Sequence, residues 1–318
     1  MSELRLVHEI DRRMRVMDGD VELVTYEYRP DTPQYESPKP YLHPIRTRSG
    51  DVVSLFRPHD HVWHKGIAWS LPVVADENFW GGPTFVPGRS YVQLPNNGRQ
   101  DPVGTIRTEL GAERATFEHE LHWITEDGRR IFEEQRRLGA ALLGPDAWAL
   151  TFETTMRNVS DRTIPIGSPT TRGRENAGYG GLFWRGPRSF TGGAIISPEG
   201  RGGDELRGTR HPWLGFEGRH DDSDTVSTVV FLDDAANPQH PPQWFTRTEE
   251  FACICPAPFF SEELEIAPGE AATFRYAVAI ADGGGDGYAA ELAERLKPVL
   301  AAPPVAVSPV AAPQGSGA

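Results

Sequence analysis

The stretch that decides the fold is Ala115-Thr-Phe-Glu-His-Glu-Leu-His-Trp-Ile-Thr-Glu-Asp-Gly-Arg-Arg-Ile-Phe-Glu-Glu-Gln-Arg-Arg-Leu138. Phe117, Leu121 and Trp123 alternate with charged or polar residues, so a strand here would have one dry face and one polar face. Asp127-Gly128 is a strong signal for a tight hairpin turn. The stretch therefore predicts two antiparallel β-strands joined by a short turn.

Similar short runs recur along the chain, and we count about fifteen predicted strands from them. The composition, with 33 Gly and 28 Pro, fits many turns. Helical spacing of leucines predicts one helix, from Asp286 to Lys297, with Asp286 as its cap and Pro298 discouraging continuation. We therefore predict an all-β fold, a large antiparallel β-sandwich with one C-terminal helix.

The domain organisation follows from the absence of linkers and repeats. Residues 1–300 contain neither, which predicts a single β-sandwich domain. Residues 301–318 are rich in Ala, Pro and Gly and carry no charge, so we predict a disordered tail there.

Charge and composition exclude several classes of partner. The net charge of −13 argues against nucleic acids and anionic membrane surfaces. No apolar run reaches the length of a membrane span, and residues 1–20 lack the apolar core of a secretory signal. A disulfide between Cys253 and Cys255 would be strained, so free, buried thiols are expected. These features predict a cytoplasmic protein.

The first place to look for chemistry is Arg57-Pro-His-Asp-His-Val-Trp-His-Lys-Gly66, which we call the histidine segment. Histidine ionises near neutrality, and its neutral ring binds metals. On a strand, His59 and His61 would point the same way, and His64 would return to that side after a turn at Val62-Trp63. Three interpretations stay open: ligands of a divalent metal, groups that hydrogen-bond to or exchange protons with a ligand, and purely structural rings.

The absence of several known motifs limits the cofactors that the chain is expected to bind. The histidine spacing matches neither the two-histidine helix of zinc proteases nor a zinc finger. The chain has no nucleophile elbow, no phosphate-binding loop and no dinucleotide fingerprint after a strand. We therefore expect no nucleotide cofactor, and hydrolysis through a serine or cysteine nucleophile is disfavoured.

Charged residues elsewhere offer complementary chemistry. Glu175 lies close to Arg172, and such a pair can supply a base and an anion clamp, or merely a surface ion pair. Arg185 follows aromatic residues, so it is expected to stack on a ring or to bind a carboxylate.

Many of the tryptophans adjoin polar or glycine-rich loop residues. Their flat faces match the C–H faces of sugar rings, while nearby polar groups can bind hydroxyls. The alternative for at least half of them is core packing. The set is Trp63, Trp69, Trp80, Trp184, Trp213 and Trp244.

Several segments together resemble the PmoA-like family of bacterial proteins. They are the histidine segment with Asn78-Phe-Trp80, Gly178-Tyr-Gly-Gly-Leu-Phe-x-Arg185, Asn237-Pro-x-His-Pro-x-x-Trp-Phe245 and Pro268-Gly-Glu-x-x-x-Phe-Arg-Tyr276. Members often carry a methane-oxygenase label, which implies a membrane-bound copper subunit and does not suit a chain without an apolar span.

The resemblance implies a β-sandwich related to the galactose-mutarotase-like supersandwich and an association with sugar catabolism. The paired histidine motifs of aldose mutarotases have no counterpart here, so their catalytic residues are not carried over. The positions that recur in the PmoA-like family are His59, His61, His64, Arg172, Tyr179, Arg185, His240 and Trp244.

Our leading hypothesis is a carbohydrate-active enzyme that acts on a sugar, glycoside or sugar acid by acid–base chemistry, as an epimerase, lyase or hydrolase. The predicted catalytic residues are His59, His61, His64 and Glu175. The predicted substrate-binding residues are Arg172, Tyr179, Arg185, Trp63, Trp80, His240 and Trp244. Two rivals remain: a metal-dependent enzyme with His59, His61 and His64 as ligands of iron, copper or zinc, and a non-catalytic sugar-binding module.

Overall fold

The computed structural model describes residues 3–302 of the chain, and within them it has 22 strands and one α-helix. The strands of the first half are β1 (Leu4–Glu9), β2 (Arg13–Asp18), β3 (Val21–Glu27), β4 (Tyr41–Ile45), β5 (Ile67–Ser70), β6 (Val73–Val74), β7 (Thr84–Val86), β8 (Ser90–Val92), β9 (Arg99–Leu110), β10 (Arg114–Ile124), β11 (Arg130–Leu142) and β12 (Ala147–Asn158). Those of the second half are β13 (Ile164–Gly167), β14 (Gly181–Arg185), β15 (Ala194–Ser197), β16 (Gly200–Gly202), β17 (Trp213–Arg219), β18 (Val226–Asp233), β19 (Gln243–Arg247), β20 (Cys253–Ala257), β21 (Leu264–Ile266) and β22 (Ala271–Asp282); the helix α1 spans Tyr288–Ala301.

Two large antiparallel sheets form the body of the fold. One has eight strands in the order β1-β2-β3-β4-β5-β14-β20-β19, and the other has nine in the order β16-β15-β17-β18-β22-β12-β11-β10-β9. Smaller sheets are β21-β13-β6 and the hairpin β7-β8. The all-β prediction with large antiparallel sheets and one C-terminal helix is confirmed. The estimate of about fifteen strands was low because strands of two or three residues, such as β6 and β16, carry too little pattern to detect.

The hairpin read from the sequence is β10 and β11, in which Phe117 faces Leu138 across the ladder. Alternate residues of β10 are buried, as the pattern predicted. The two large sheets pack face to face: the ring of Trp69, from the eight-stranded sheet, lies 5.9 Å from that of Phe152 in the other. This shared apolar layer is the core of the molecule.

The core also contains charges that the sequence pattern did not indicate. Arg136 and Glu134 on β11 point inward and form an ion pair of 2.6 Å at 1% and 0% side-chain exposure. Glu134 also accepts a hydrogen bond from the indole of Trp123 at 2.7 Å. Nearby, His119 shares a 2.8 Å hydrogen bond with the hydroxyl of Tyr26. Buried charges of this kind are tolerated because each has a partner.

The helix α1 differs from its prediction at both ends. It begins after Gly287 without a side-chain cap from Asp286, and it continues through Pro298 to Ala301. Proline cannot donate the usual backbone hydrogen bond. The last turn nevertheless persists because Leu296 and Leu300 pack into a small apolar cluster against the nine-stranded sheet.

Three further expectations bear on the chain as a whole. Cys253 and Cys255 are free and buried, as predicted. Ala301, the first residue of the predicted tail, ends the helix, while residues 303–318 lie outside the described range. Within residues 3–302, no helix is both long and apolar enough to cross a membrane.

Candidate functional site

A cavity of about 340 Å³ lies against the outer face of the eight-stranded sheet, on the side away from the core. Its size suits a small-molecule site, for which roughly 300–1,000 Å³ is usual. Aromatic, histidine and charged side chains surround it. They include His61, Trp63, His64, Trp80, Tyr91, Arg174, Tyr179, Phe183, Phe245, Arg247, Glu250 and Phe251.

The floor of this cavity is formed by those residues of β14 and β19 whose side chains point away from the core. On β14, Trp184 points into the core, whereas Phe183 lies on the outer face. On β19, Trp244 points into the core, and its neighbour Phe245 lines the cavity together with Arg247. Because successive strand residues face opposite sides, each of these strands contributes to the core and the cavity at once.

The histidine segment crosses this floor as two successive turns and not as a strand. The amide of His61 donates to the carbonyl of Pro58 at 3.0 Å, and the amide of His64 donates to the carbonyl of His61 at 2.9 Å. His59 is consequently directed elsewhere: its Nδ1 pairs with Arg188 at 3.1 Å on the exposed side, and it does not line the cavity.

One buried carboxylate clamps both ends of the histidine segment. Glu36 accepts hydrogen bonds from Arg57 at 2.6 to 3.1 Å and forms an ion pair of 2.9 Å with Lys65. Burial opposes ionisation of Glu36, but these two cations outweigh it and keep the pKa of Glu36 below its usual value. The amide of Arg57 also donates to the carbonyl of His64 at 2.9 Å, which closes the loop.

His61 is oriented by the carboxylate that precedes it. Its Nδ1 lies 3.1 Å from Oδ2 of Asp60. Burial opposes ionisation of Asp60, yet hydrogen bonding to His61 and the charge of Arg185 hold the pKa of Asp60 well below its usual range. Asp60 is therefore an anion at neutral pH. Burial lowers the pKa of His61 although Asp60 raises it, so this ring is neutral and its Nδ1 donates to Asp60.

His64 has the opposite kind of partner. Its Nδ1 accepts a hydrogen bond of 3.2 Å from Nη1 of Arg185, a guanidinium with 0% side-chain exposure. Burial, then the neighbouring charges, holds the pKa of His64 well below 6.5, so the ring is neutral. Since arginine can only donate, the proton of His64 resides on Nε2.

Arg185 itself is held from three sides. Its guanidinium carbon lies 3.6 Å from the centre of the Phe251 ring, and its Nη2 lies 3.6 Å from Asp60, an ion pair beyond hydrogen-bonding distance. Burial lowers the pKa of Arg185 to about 10, which leaves it charged at neutral pH. Arg185 thus fixes the tautomer of His64 from behind the cavity wall.

Aromatic rings form the walls. Trp80 lies 4.7 Å from Tyr179 and 4.8 Å from Phe183, measured between ring centres. Trp63 packs on the backbone of Gly81 and Gly82, where a larger side chain would collide with it. A Cβ on Gly82, where φ is +69°, would lie 2.7 Å from the indole. The aromatic walls and polar groups give the cavity the character of a specific small-molecule site.

The remaining wall is polar and positively charged. The hydroxyls of Tyr91 and Tyr179 lie 2.8 Å apart, and Arg174 donates to the hydroxyl of Tyr91. The guanidinium of Arg174 also lies 4.8 Å from the Tyr91 ring centre. Arg247 pairs with Glu250 at the rim.

Arg185 lies behind the cavity wall, and five further residues predicted for the site do not line the cavity either. Glu175 is exposed, and Arg172 donates to the carbonyl of Ala75 at 3.1 Å. His240 pairs with Asp233 at 2.7 Å, away from the site. The others are His59 and Trp244, whose indole donates to the carbonyl of His211 at 2.8 Å within the core.

The cavity also contains residues that the sequence analysis missed. Phe245 and Arg247 follow from alternation along β19 once Trp244 is assigned to the core. Arg174 lies two residues after the expected Arg172. Tyr91, on the β7–β8 hairpin, had no signal in the sequence, because only tertiary contact brings it beside Tyr179.

The three histidines do not converge on a common ligand point. Arg185 and Arg188 hydrogen-bond to His64 and His59, which disfavours a cation at either ring. Among residues 3–302, the group whose ligand atoms lie within 4.8 Å of one another is instead Glu120, His122 and Glu133. That group is on the outer face of β10 and β11.

Comparison with solved structures finds distant likenesses. One is the GalM/aldose epimerase homologue from C. elegans, with a TM-score of 0.32 and 6% identity over 90% of this chain and 100% of that one. Another is a TPR-domain containing protein from Parabacteroides distasonis, with a TM-score of 0.24 and 11% identity over 94% of this chain and 50% of that one. No residue or activity is carried over from either protein.

Comparison with curated proteins finds no match. A family model described as "Family of unknown function (DUF6807)" matches residues 13–296. Because this match spans most of the sequence, the chain belongs to the DUF6807 family.

Proposed function

We propose that the cavity is the active site of a carbohydrate-active enzyme that works by proton transfer between His61, His64 and a sugar. The observation that carries the proposal is the pairing of the two histidines with opposite partners. Asp60 accepts from Nδ1 of His61, whereas Arg185 donates to Nδ1 of His64. One ring therefore presents a lone pair at Nε2 and the other presents a proton.

These two groups supply the two halves of acid–base catalysis. Nε2 of His61 is a base for a proton on carbon or on a hydroxyl. Nε2–H of His64 donates a hydrogen bond to an oxygen on which negative charge develops. Asp60 stabilises the imidazolium that forms when His61 accepts the proton, as a carboxylate beside a catalytic histidine does. In this proposal His64, and not the exposed Glu175, is the acid–base complement of His61.

The aromatic walls support a sugar as the substrate. Trp80 and Trp63 present flat apolar surfaces, and the hydroxyls of Tyr91 and Tyr179 are beside them. Such a mixture of ring faces and hydroxyl partners suits a ligand with C–H faces and many hydroxyls. The resemblance to PmoA-like proteins, with their association with sugar catabolism, agrees with this choice. Epimerisation, elimination and hydrolysis all use the base and the donor described here.

The test is turnover of a panel of plain and oxidised sugars and glycosides, followed by NMR, with matched histidine variants. His61→Gln and His64→Gln are expected to lower turnover by roughly 10²-fold or more, the usual contribution of an acid–base group. His59→Gln is the control, because His59 also adjoins Asp60 but does not line the cavity. Full turnover by a folded His61→Gln variant rules the proposal out. Tight sugar binding with unchanged ligand recovered would favour a non-catalytic binding module.

A further inference from the structure

We infer that the substrate of this site is a sugar acid, whose carboxylate is held by Arg174 and Arg247. The inference rests on the proposed function and names the class of sugar within it. It is carried by the charge of the cavity wall and by buried donors that lack acceptors.

The wall of the cavity is positive although the chain as a whole carries a net charge of −13. The charged residues that line it are Arg174, Arg247 and Glu250. Within the described part of the chain, the guanidinium of Arg174 has no carboxylate partner and donates only to the hydroxyl of Tyr91. An unpaired guanidinium in an aromatic-walled cavity attracts an anion more strongly than it would at an open surface.

Arg247 does have a carboxylate partner, but an exposed one. The side chain of Glu250 is 66% exposed, compared with 18% for Arg247. Exposed ion pairs contribute little, so a ligand carboxylate can replace Glu250 at small cost. Without that pair, the cavity offers two guanidinium groups to one ligand.

Two buried donors in the wall lack an acceptor among the described residues. Nε of Arg247 and Nε1 of Trp63 are buried and have no hydrogen-bond partner within residues 3–302. A buried donor without an acceptor costs free energy, which a ligand rich in acceptor oxygens recovers. Burial raises the pKa of Tyr179, so its hydroxyl stays protonated beside Tyr91.

A carboxylate fits this arrangement better than a phosphate. The planar guanidinium fork matches the oxygens of a carboxylate and of a phosphate alike, so the charge of the ligand decides between them. Glu250 stays at the rim when a ligand takes its place on Arg247, so the lining residues keep one surplus positive charge, which balances a carboxylate but not a doubly charged phosphate monoester. The cavity of about 340 Å³ is of small-molecule size and leaves little room for a long chain of sugars.

The test is calorimetric titration of the full-length protein with matched pairs of sugars: glucuronate against glucose and galacturonate against galactose. Glucose 6-phosphate is the third arm. We expect at least one uronate to bind about tenfold or more tightly than its neutral partner, and the preference to fall as salt rises. Arg174→Gln and Arg247→Gln should each reduce that preference. Arg172→Gln, an arginine outside the cavity, should leave it unchanged.

Three results would overturn the inference. They are equal affinity for the uronate and neutral members of both pairs, a preference for the phosphorylated sugar, and a uronate preference that survives in both arginine variants. If neutral sugars are nevertheless converted in a His61-dependent way, the inference fails while the proposed function stands. If no sugar of either kind binds, both fail.

Discussion

The rings of His61 and His64 are stacked, with centres 4.7 Å apart and planes 17° apart. Their Nδ1 atoms nevertheless meet opposite charges, a carboxylate for His61 and a guanidinium for His64. Two identical side chains three residues apart are thereby given different chemical roles by their neighbours. The histidine segment alone, read as spacing, does not reveal this difference.

The first prediction concerns the tautomers of these two rings. Above pH 7, His61 should carry its proton on Nδ1 and His64 on Nε2, because the former faces Asp60 and the latter faces Arg185. Long-range ¹H–¹⁵N spectra of the imidazole rings measure this directly, with His61→Gln and His64→Gln to assign the signals. The same tautomer in both rings would contradict the acid–base assignment.

The second prediction is the pH dependence of turnover. His61 must be neutral to act as a base, and burial lowers its pKa below 6.5. Activity should therefore be full at pH 7 and fall with acidification only below pH 6.5. Asp60 raises the pKa of His61, so Asp60→Asn should move this acid limb to lower pH while reducing the maximum rate. An acid limb that stays in place in Asp60→Asn would show that His61 is not the titrating base.

The third prediction concerns the packing of Trp63 against Gly82. Gly82→Ala should displace the indole, since the new Cβ would lie 2.7 Å from its ring atoms. We expect weaker sugar binding, altered tryptophan fluorescence and a loss of about 1–3 kcal/mol in the free energy of unfolding.

Gly88→Ala is the matched control for this change. Its φ of +74° is close to the +69° of Gly82, but a Cβ at residue 88 meets nothing within 4 Å. Both alanines carry the same backbone strain, and only the one at residue 82 collides with a ring. Equal effects of the two on binding would show that strain, and not the position of Trp63, is responsible.

The fourth prediction is a loss of stability in acid that comes from a buried histidine. Burial lowers the pKa of His119 from 6.5 to about 3. Its contribution is fully present above pH 6.5 and is lost as the pH falls from 6.5 towards 3, because the unfolded chain binds the proton first. Between pH 6.5 and 4 this amounts to something on the order of 3 kcal/mol.

Denaturant unfolding at several pH values measures this loss, with His119→Leu as the comparison. The stability of the variant should be less sensitive to pH over that range. Loss of the His119 ring does not leave the hydroxyl of Tyr26 without a partner, because Arg136 still donates to it at 3.5 Å. Parallel pH profiles for the two proteins would exclude His119 as the source.

Much of the fold could be predicted because its signals are local. The alternation of Phe117, Leu121 and Trp123 and the Asp127-Gly128 turn identified the β10–β11 hairpin directly. The end of α1 could not be predicted in this way, because tertiary packing of Leu300 keeps the helix intact beyond Pro298.

Part of the candidate site could also be predicted, because some of its residues form a local signal in the sequence. His61 and His64 were visible as an unusual local cluster. Tyr91 and Arg174 come from separate parts of the chain and meet only in the folded protein. Trp244 illustrates the reverse case, since its motif was noticed but alternation along β19 turns its side chain into the core and presents Phe245 to the cavity.

The clamp made by Glu36 affects the entropy cost of binding a ligand. Arg57 and Lys65, at the two ends of the histidine segment, are held by a single carboxylate before any ligand arrives. The conformational entropy of ordering this loop is therefore lost during folding and not during binding. The two rings form a preorganised pair, and we expect the free and ligand-bound forms of the segment to share one backbone conformation.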